Sequence, residues 1–131
     1  MWVFTNNAFV SAVAHRTRPG FLMVRARVRG DLETFFSCLT SPVEVTETDH
    51  ADYRFRCVVD KASFLRCLVD TLAAVDYDNF KNSIPHAEVE RHDAYMGVWS
   101  VMLRYQDRAL DAEYDSDGFV FDDYAPDRGL F

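Results

Sequence analysis

FLMVRARVRGDLETFFSCL, residues 21–39, is the stretch that decides the fold. Val24, Ala26 and Val28 alternate with Arg25, Arg27 and Arg29. A period of two is that of a strand with one buried face, so Phe21–Arg29 reads as a strand with three guanidiniums on its other side. Gly30-Asp31 stops the alternation, and Asp31 is placed to cap a helix N-terminus. The period then changes: Leu32, Phe35, Phe36 and Leu39 fall at helical spacing, and Ser41-Pro42 closes the helix. A half-buried strand running at once into an amphipathic helix folds that helix back on the strand's apolar side, which is the start of an α+β layer.

Working upstream, Trp2–Thr5 and Ala8–His15 are apolar, β-prone runs separated by Asn6-Asn7, a hairpin signal. Arg16–Gly20 holds the turn dipeptide Pro19-Gly20. Downstream, Val43–Thr48 and Tyr53–Val59 are strands joined by Asp49-His50-Ala51-Asp52; Arg54 and Arg56 alternate with Tyr53, Phe55, Cys57 and Val59. Lys61–Val75 is an amphipathic helix with Leu65, Leu68, Val69 and Leu72 as its expected buried stripe. Asp76–Glu90 is a connector. Asp93 to about Leu110 is a last helix, with Tyr95, Val98, Trp99, Met102 and Leu103 expected inward, and Asp115-Ser116-Asp117-Gly118 ends regular structure. The order β-β-β-α-β-β-α-α with short links predicts an α+β fold: a mostly antiparallel sheet with helices on one face. Its β-α-β-β-α core is ferredoxin-like, extended by an N-terminal β-hairpin. Residues 1–110 form one domain and residues 111–131 an acidic, aromatic C-terminal tail.

Composition agrees with a folded chain: 131 residues, 49% hydrophobic and 15% aromatic, enough for one core without a metal or disulfide staple. Cys38, Cys57 and Cys67 are odd in number and none are at CxxC spacing, so reduced, buried thiols are expected rather than a disulfide framework or a zinc site. No run is apolar and long enough to span a membrane, and the start lacks the pattern of a signal peptide, so the expected location is cytoplasmic. The net charge of −7 is unevenly spread. Residues 1–40 carry five arginines against two acids, while residues 106–131 carry two against eight. Overall acidity argues against non-specific nucleic-acid binding but leaves room for a local basic site.

Two constellations stand out. Arg25, Arg27, Arg29, Arg54 and Arg56, extended by His15 and Arg16, form one patch if their strands are neighbours. Clustered guanidiniums hold phosphates bidentately, and they also occur on solvated sheet faces paired with acids such as Glu44 and Glu47. In the C-terminal region Asp111, Glu113, Asp115, Asp117, Asp122 and Asp123 interleave with Tyr114, Phe119, Phe121 and Tyr124. Aromatics among carboxylates suit docking, on the chain itself or on a partner, better than mere solvation. Catalytic patterns are missing: there is no HExxH, no glycine-rich phosphate loop and no GxSxG, and the four histidines are scattered. No catalytic residue, metal site or cofactor is assigned.

Met1-Trp2-Val3-Phe4-Thr5 with His15-Arg16, Val24-Arg25-Ala26-Arg27 with Gly30-Asp31, Ala51-Asp52-Tyr53-Arg54-Phe55-Arg56, and Asp76-Tyr77-Asp78-Asn79-Phe80-Lys81 with Tyr95 and Val98-Trp99-Ser100-Val101 resemble a family of small bacterial and phage proteins to which no activity is attached. The resemblance covers roughly residues 1–105. A phage origin implies the class of small acidic inhibitors of host defence, including anti-CRISPR proteins. The expectation is a non-catalytic protein-interaction domain that inhibits a nucleic-acid-targeting defence system through an acidic surface mimicking nucleic acid. The expected partner is a host protein, a nucleic-acid-binding effector, with no membrane involved and a homodimer allowed. The alternative is a small phosphate-, nucleotide- or RNA-binding protein or enzyme working through the arginine face.

Overall fold

Asn6 and Asn7 reverse the chain between β1 (Trp2–Phe4) and β2 (Phe9–Ala14). Thr5 closes this turn: its N–H donates to the Ala8 carbonyl at 2.8 Å, and its hydroxyl oxygen accepts from the Ala8 N–H at 2.8 Å. Gly20, at φ +83°, turns the chain into β3 (Phe21–Ala26), a backbone conformation that a side chain would strain. The computed structural model describes residues 1–117, in two units, residues 1–89 and a second beginning at Glu90.

The first unit is built on a five-stranded, wholly antiparallel sheet in the order β1-β2-β3-β5-β4, where β4 is Thr46–Glu47 and β5 is Phe55–Asp60. β3 is the middle strand, and its register sets Val24 opposite Ala12 on one side and Cys57 on the other. These residues face the helices. Val10, Ala12, Val24, Ala26, Cys57 and Val59 pack with Leu32, Phe35 and Phe36 and with Phe64 and Cys67 in one buried cluster. Fully burying a side chain of the size of Val24 or Leu32 stabilises the fold by about 1.5–3 kcal/mol.

The strand predicted over Phe21–Arg29 ends earlier. Its partner β5 begins at Phe55, opposite Ala26, and beyond that point no ladder holds the chain extended. Val28 is therefore exposed and sits at the N-cap of α1 (Arg29–Phe35), and Arg29 is helical. Asp31 is not the cap. It lies buried in the first turn, where Oδ2 accepts the Phe9 N–H at 3.0 Å, so one carboxylate ties α1 to the start of β2.

Asp60 ends β5 and caps α2 (Lys61–Ala73), accepting the Ser63 N–H at 2.8 Å and its hydroxyl at 2.7 Å. The Ser63 hydroxyl, then the Ser63 N–H, hold the Asp60 carboxyl below its ordinary value. The buried face of α2 is rotated from the one expected: Phe64 and Cys67 are buried and Leu68 packs against them, while Leu65, Val69 and Leu72 are exposed. The Phe35–Phe64 ring contact at 5.2 Å and a covalent tie at Cys67 fix that rotation. The connector contains a one-turn helix, α3 (Phe80–Ser83), capped by Asn79, whose Oδ1 accepts the Asn82 N–H. The second unit is carried by α4 (Val89–Asp117), which extends beyond the predicted end at Leu110.

The tie at Cys67 overturns the expectation of reduced thiols. Cys38, just after α1, and Cys67, within α2, are disulfide-bonded with a Cα separation of 5.9 Å. Spacing in the sequence is no guide here, because the two cysteines meet only once both helices lie on the same sheet face. Two outcomes follow from these ties. Closing 29 residues of sequence separation implies that the Cys38→Ala, Cys67→Ala double variant loses about 3–4 kcal/mol of stability to urea. Asp31→Ala, which leaves the part-buried Phe9 N–H without its charged acceptor, is expected to lose about 1.5–3 kcal/mol in the same measurement.

Candidate functional site

The sheet face away from α1 and α2 carries the arginines. Directly opposed residues share a face, so one row runs Trp2, Ser11, Arg25, Arg56, Thr46 across all five strands. Arg25 donates from Nη2 to the Ser11 hydroxyl at 2.9 Å, and Arg56 donates from Nε to the Tyr53 carbonyl at 3.2 Å. Arg27, just past the end of β3, donates to the Asp52 carbonyl at 2.7 Å. The guanidinium carbons of Arg25 and Arg27 each lie 4.6 Å from the centre of the buried Tyr53 ring. The phenol is thus a spacer that holds two cations in place through cation–π attraction. Arg25 Nε is the one buried side-chain polar atom without a hydrogen-bond partner among the described residues.

The five arginines do not form a single patch. Arg29 pairs with Glu33 at 3.0 Å along α1, and Arg54 is held by Glu47 at 2.6 Å and Asp49 at 2.9 Å. Both are neutralised, as the solvated-face reading expects. Arg25, Arg27 and Arg56 have no carboxylate partner among the described residues. His15 follows β2 in the chain, with Nδ1 accepting the Thr17 N–H at 3.3 Å, and Arg16 is exposed beside it in sequence. Neither joins the Tyr53 group.

A cavity of about 500 Å³ opens between the β1–β2 turn and the two helices, with the disulfide in its wall. Val3, Phe4, Phe35, Leu68, Leu72 and Val75 contribute to its apolar lining, and Asp70 is the charged residue on it among the described residues. It gathers no set of groups for acid–base or nucleophilic work. No group of three or more His, Cys, Asp or Glu residues that could hold a metal ion occurs among the described residues.

On α4 the expectation of an inward stripe is corrected. Tyr95 is buried, but Trp99, Met102 and Leu110 are 51%, 55% and 50% exposed, and Val98 and Leu103 are exposed too. Trp99, Met102, Leu103, Gln106, Ala109, Leu110 and Glu113 follow at spacings of three and four and line one continuous depression along the helix. The pattern is present in the sequence; the period alone does not tell whether a stripe faces a core or a partner. Of the acidic and aromatic residues expected to form a partner surface, Asp111, Glu113, Tyr114, Asp115 and Asp117 lie on the last turns of α4. Phe119, Phe121, Asp122, Asp123 and Tyr124 lie outside the described residues.

No described helix is long and apolar enough to cross a membrane. Comparison with protein-family models, curated proteins and solved structures finds no match.

Cys57 is the free thiol, buried beneath the sheet, and burial pushes its pKa up to about 12. Thiolate is the reactive form, so this thiol is inert. Iodoacetamide at pH 8 should leave the oxidised protein unmodified by intact mass and add one carbamidomethyl group only in denaturant.

Proposed function

We propose that the protein is a non-catalytic protein-interaction module whose C-terminal helix engages a partner. The observation that carries this reading is the exposed apolar stripe of α4, which leads into acidic turns. A contiguous apolar helix face left open to water is the mark of an interaction surface, read as anchors at i, i+3, i+4 and i+7. The exposed Leu65, Val69 and Leu72 of α2 make a second, shorter apolar face. Residues 90–131 hold four basic and ten acidic residues, so a partner with a basic surface is favoured. Nucleic-acid-binding effectors have such surfaces, which fits the idea of an inhibitor, phage-encoded and anti-CRISPR-like, that displaces nucleic acid. The same reading takes in the ferredoxin-like description: β5 lies between β3 and β4, with α1 making the crossover, and the β1–β2 pair extends the sheet beyond β3. A cytoplasmic site of action belongs to this reading as well. In reducing surroundings the Cys38–Cys67 bond would open, so binding is to be measured with and without reductant.

The test is capture of a bacterial partner by the full chain from nuclease-treated lysate, followed by titration of the purified partner. Met102→Asp and Leu110→Asp should each weaken that binding at least tenfold while leaving the thermal midpoint unchanged, because both side chains are exposed. Asp107→Lys with Asp111→Lys should flatten its salt dependence. Undiminished affinity in the two apolar variants would sink the proposal. Concentration-dependent self-association abolished by Met102→Asp would make a second copy of the chain the occupant.

A further inference from the structure

We propose that the arginine-bearing face of the sheet binds single-stranded nucleic acid, with Trp2 as a stacking platform and Arg25 and Arg56 as the phosphate-binding groups. This site belongs to residues 1–89 and does not depend on the role given to α4.

Three observations support it. The first is an electrostatic conflict. Arg25 and Arg56 are directly opposed on β3 and β5. Like charges in that position repel, and sheets commonly avoid them. Here Arg27 is added on the same Tyr53 ring as Arg25. No carboxylate among the described residues pairs with any of the three, although Glu47 and Asp49 are close enough in the fold to neutralise Arg54. Such a group is stabilised by an anion that accepts from several guanidiniums at once, and the phosphodiester is the anion for which the guanidinium fork is shaped.

The second observation is an unmet donor. Arg25 Nε is buried without a partner, while Nη2 of the same group is held by Ser11. The guanidinium is therefore fixed in orientation before any ligand arrives, with an unsatisfied N–H beneath it that no carboxylate among the described residues meets. Tyr53 lies buried against both Arg25 and Arg27, so it braces the cations and offers no free ring face to a base.

The third is the aromatic at the end of the same row. Trp2 is 63% exposed, and its ring meets Phe9 edge-on at 5.9 Å and Phe4 edge-on at 6.5 Å, while Phe4 and Phe9 stack at 4.4 Å. The T-shaped contacts hold the indole in place, and more than half of its surface stays open to solvent. Three strand spacings separate Trp2 from Arg56, about 14 Å. An exposed ring beside a track of phosphate-binding cations on a sheet surface is the arrangement that takes unpaired bases. Paired bases are stacked within a duplex and cannot reach Trp2, so the single-stranded form is specified. The acidity of the chain is no obstacle, because residues 1–89 carry ten basic and eleven acidic residues and most of the net negative charge lies beyond them.

The test is fluorescence anisotropy of labelled ten-nucleotide oligo(U) and oligo(dT) with the full-length protein, from 50 to 200 mM salt. Binding should weaken as salt rises. Arg56→Gln should weaken it and lower the log–log salt slope by about 0.7 for each phosphate no longer neutralised. Trp2→Ala should weaken it by about tenfold with the salt slope unchanged. Arg54→Gln, already neutralised by two acids, should change affinity less than twofold. Arg25→Gln removes a braced, half-buried group, so its result is read only where circular dichroism shows the folded spectrum; Arg56→Gln and Trp2→Ala suffice without it. No binding at 50 mM salt, or binding indifferent to both Trp2→Ala and Arg56→Gln, overturns the proposal. A peptide of residues 111–131 that displaces the oligonucleotide from the wild type but not from Arg56→Gln would support the role of Arg56 at the phosphate. Binding of that peptide with no binding of the oligonucleotide would overturn it in favour of a polypeptide carboxylate.

Discussion

The pairing of β3 with β5 is the constraint on which the first unit depends. Six residues of each strand are matched, and the register puts Val24 against Cys57 on the helix side and Arg25 against Arg56 on the other. A slip by one residue would send the arginines into the core and the valine into water. The buried cluster around Leu32, Phe35 and Phe64 and the cross-strand arginine row are consequences of the same register. Burial on one side therefore fixes the geometry of charge on the other, and apolar packing holds together two cations that would otherwise separate.

Around that pair, two local ties decide how the helices lie. Asp31 reaches from α1 to the Phe9 N–H, and the Cys38–Cys67 bond joins the end of α1 to the middle of α2. The first seats α1 on the sheet; the second, with the Phe35–Phe64 contact, sets the rotation of α2, which buries Phe64 and Cys67 and turns Leu65, Val69 and Leu72 outward. An exposed apolar face on this helix is thus the result of a tertiary tie overriding the face with the most leucines. The cavity beside the disulfide follows from the same arrangement, since the β1–β2 turn closes one side of the space between the helices.

Charge is divided along the chain as sharply as structure. The acids of residues 1–89 are nearly balanced by bases, whereas residues 90–131 are strongly acidic. The sheet face carries cations that no carboxylate among the described residues pairs with, and α4 carries an apolar stripe that ends among carboxylates. These are two surfaces of opposite sign and different chemistry, guanidiniums beside an exposed indole on one and apolar side chains running into carboxylates on the other.

Local periodicity was enough to set the class of fold, because periods of two and of three to four are written along the chain and survive any arrangement of the elements. The strand read over Phe21–Arg29 is found as Phe21–Ala26 and the helix read over Lys61–Val75 as Lys61–Ala73, and the alternation of arginine with apolar residues was legible. So was the three-and-four spacing of α4 from Trp99 to Glu113. Where β3 ends was a tertiary matter, since it depends on the length of its partner β5. Packing also decided that Asp31 anchors a neighbouring strand, that Cys38 meets Cys67, and that Leu65 and Met102 face water. It sorted the arginines as well: Arg29 and Arg54 find acids, while Arg25, Arg27 and Arg56 gather about Tyr53. Which side chains meet depends on distances between residues remote in sequence, and a one-dimensional pattern fixes the face of each element but not the neighbour that face will find.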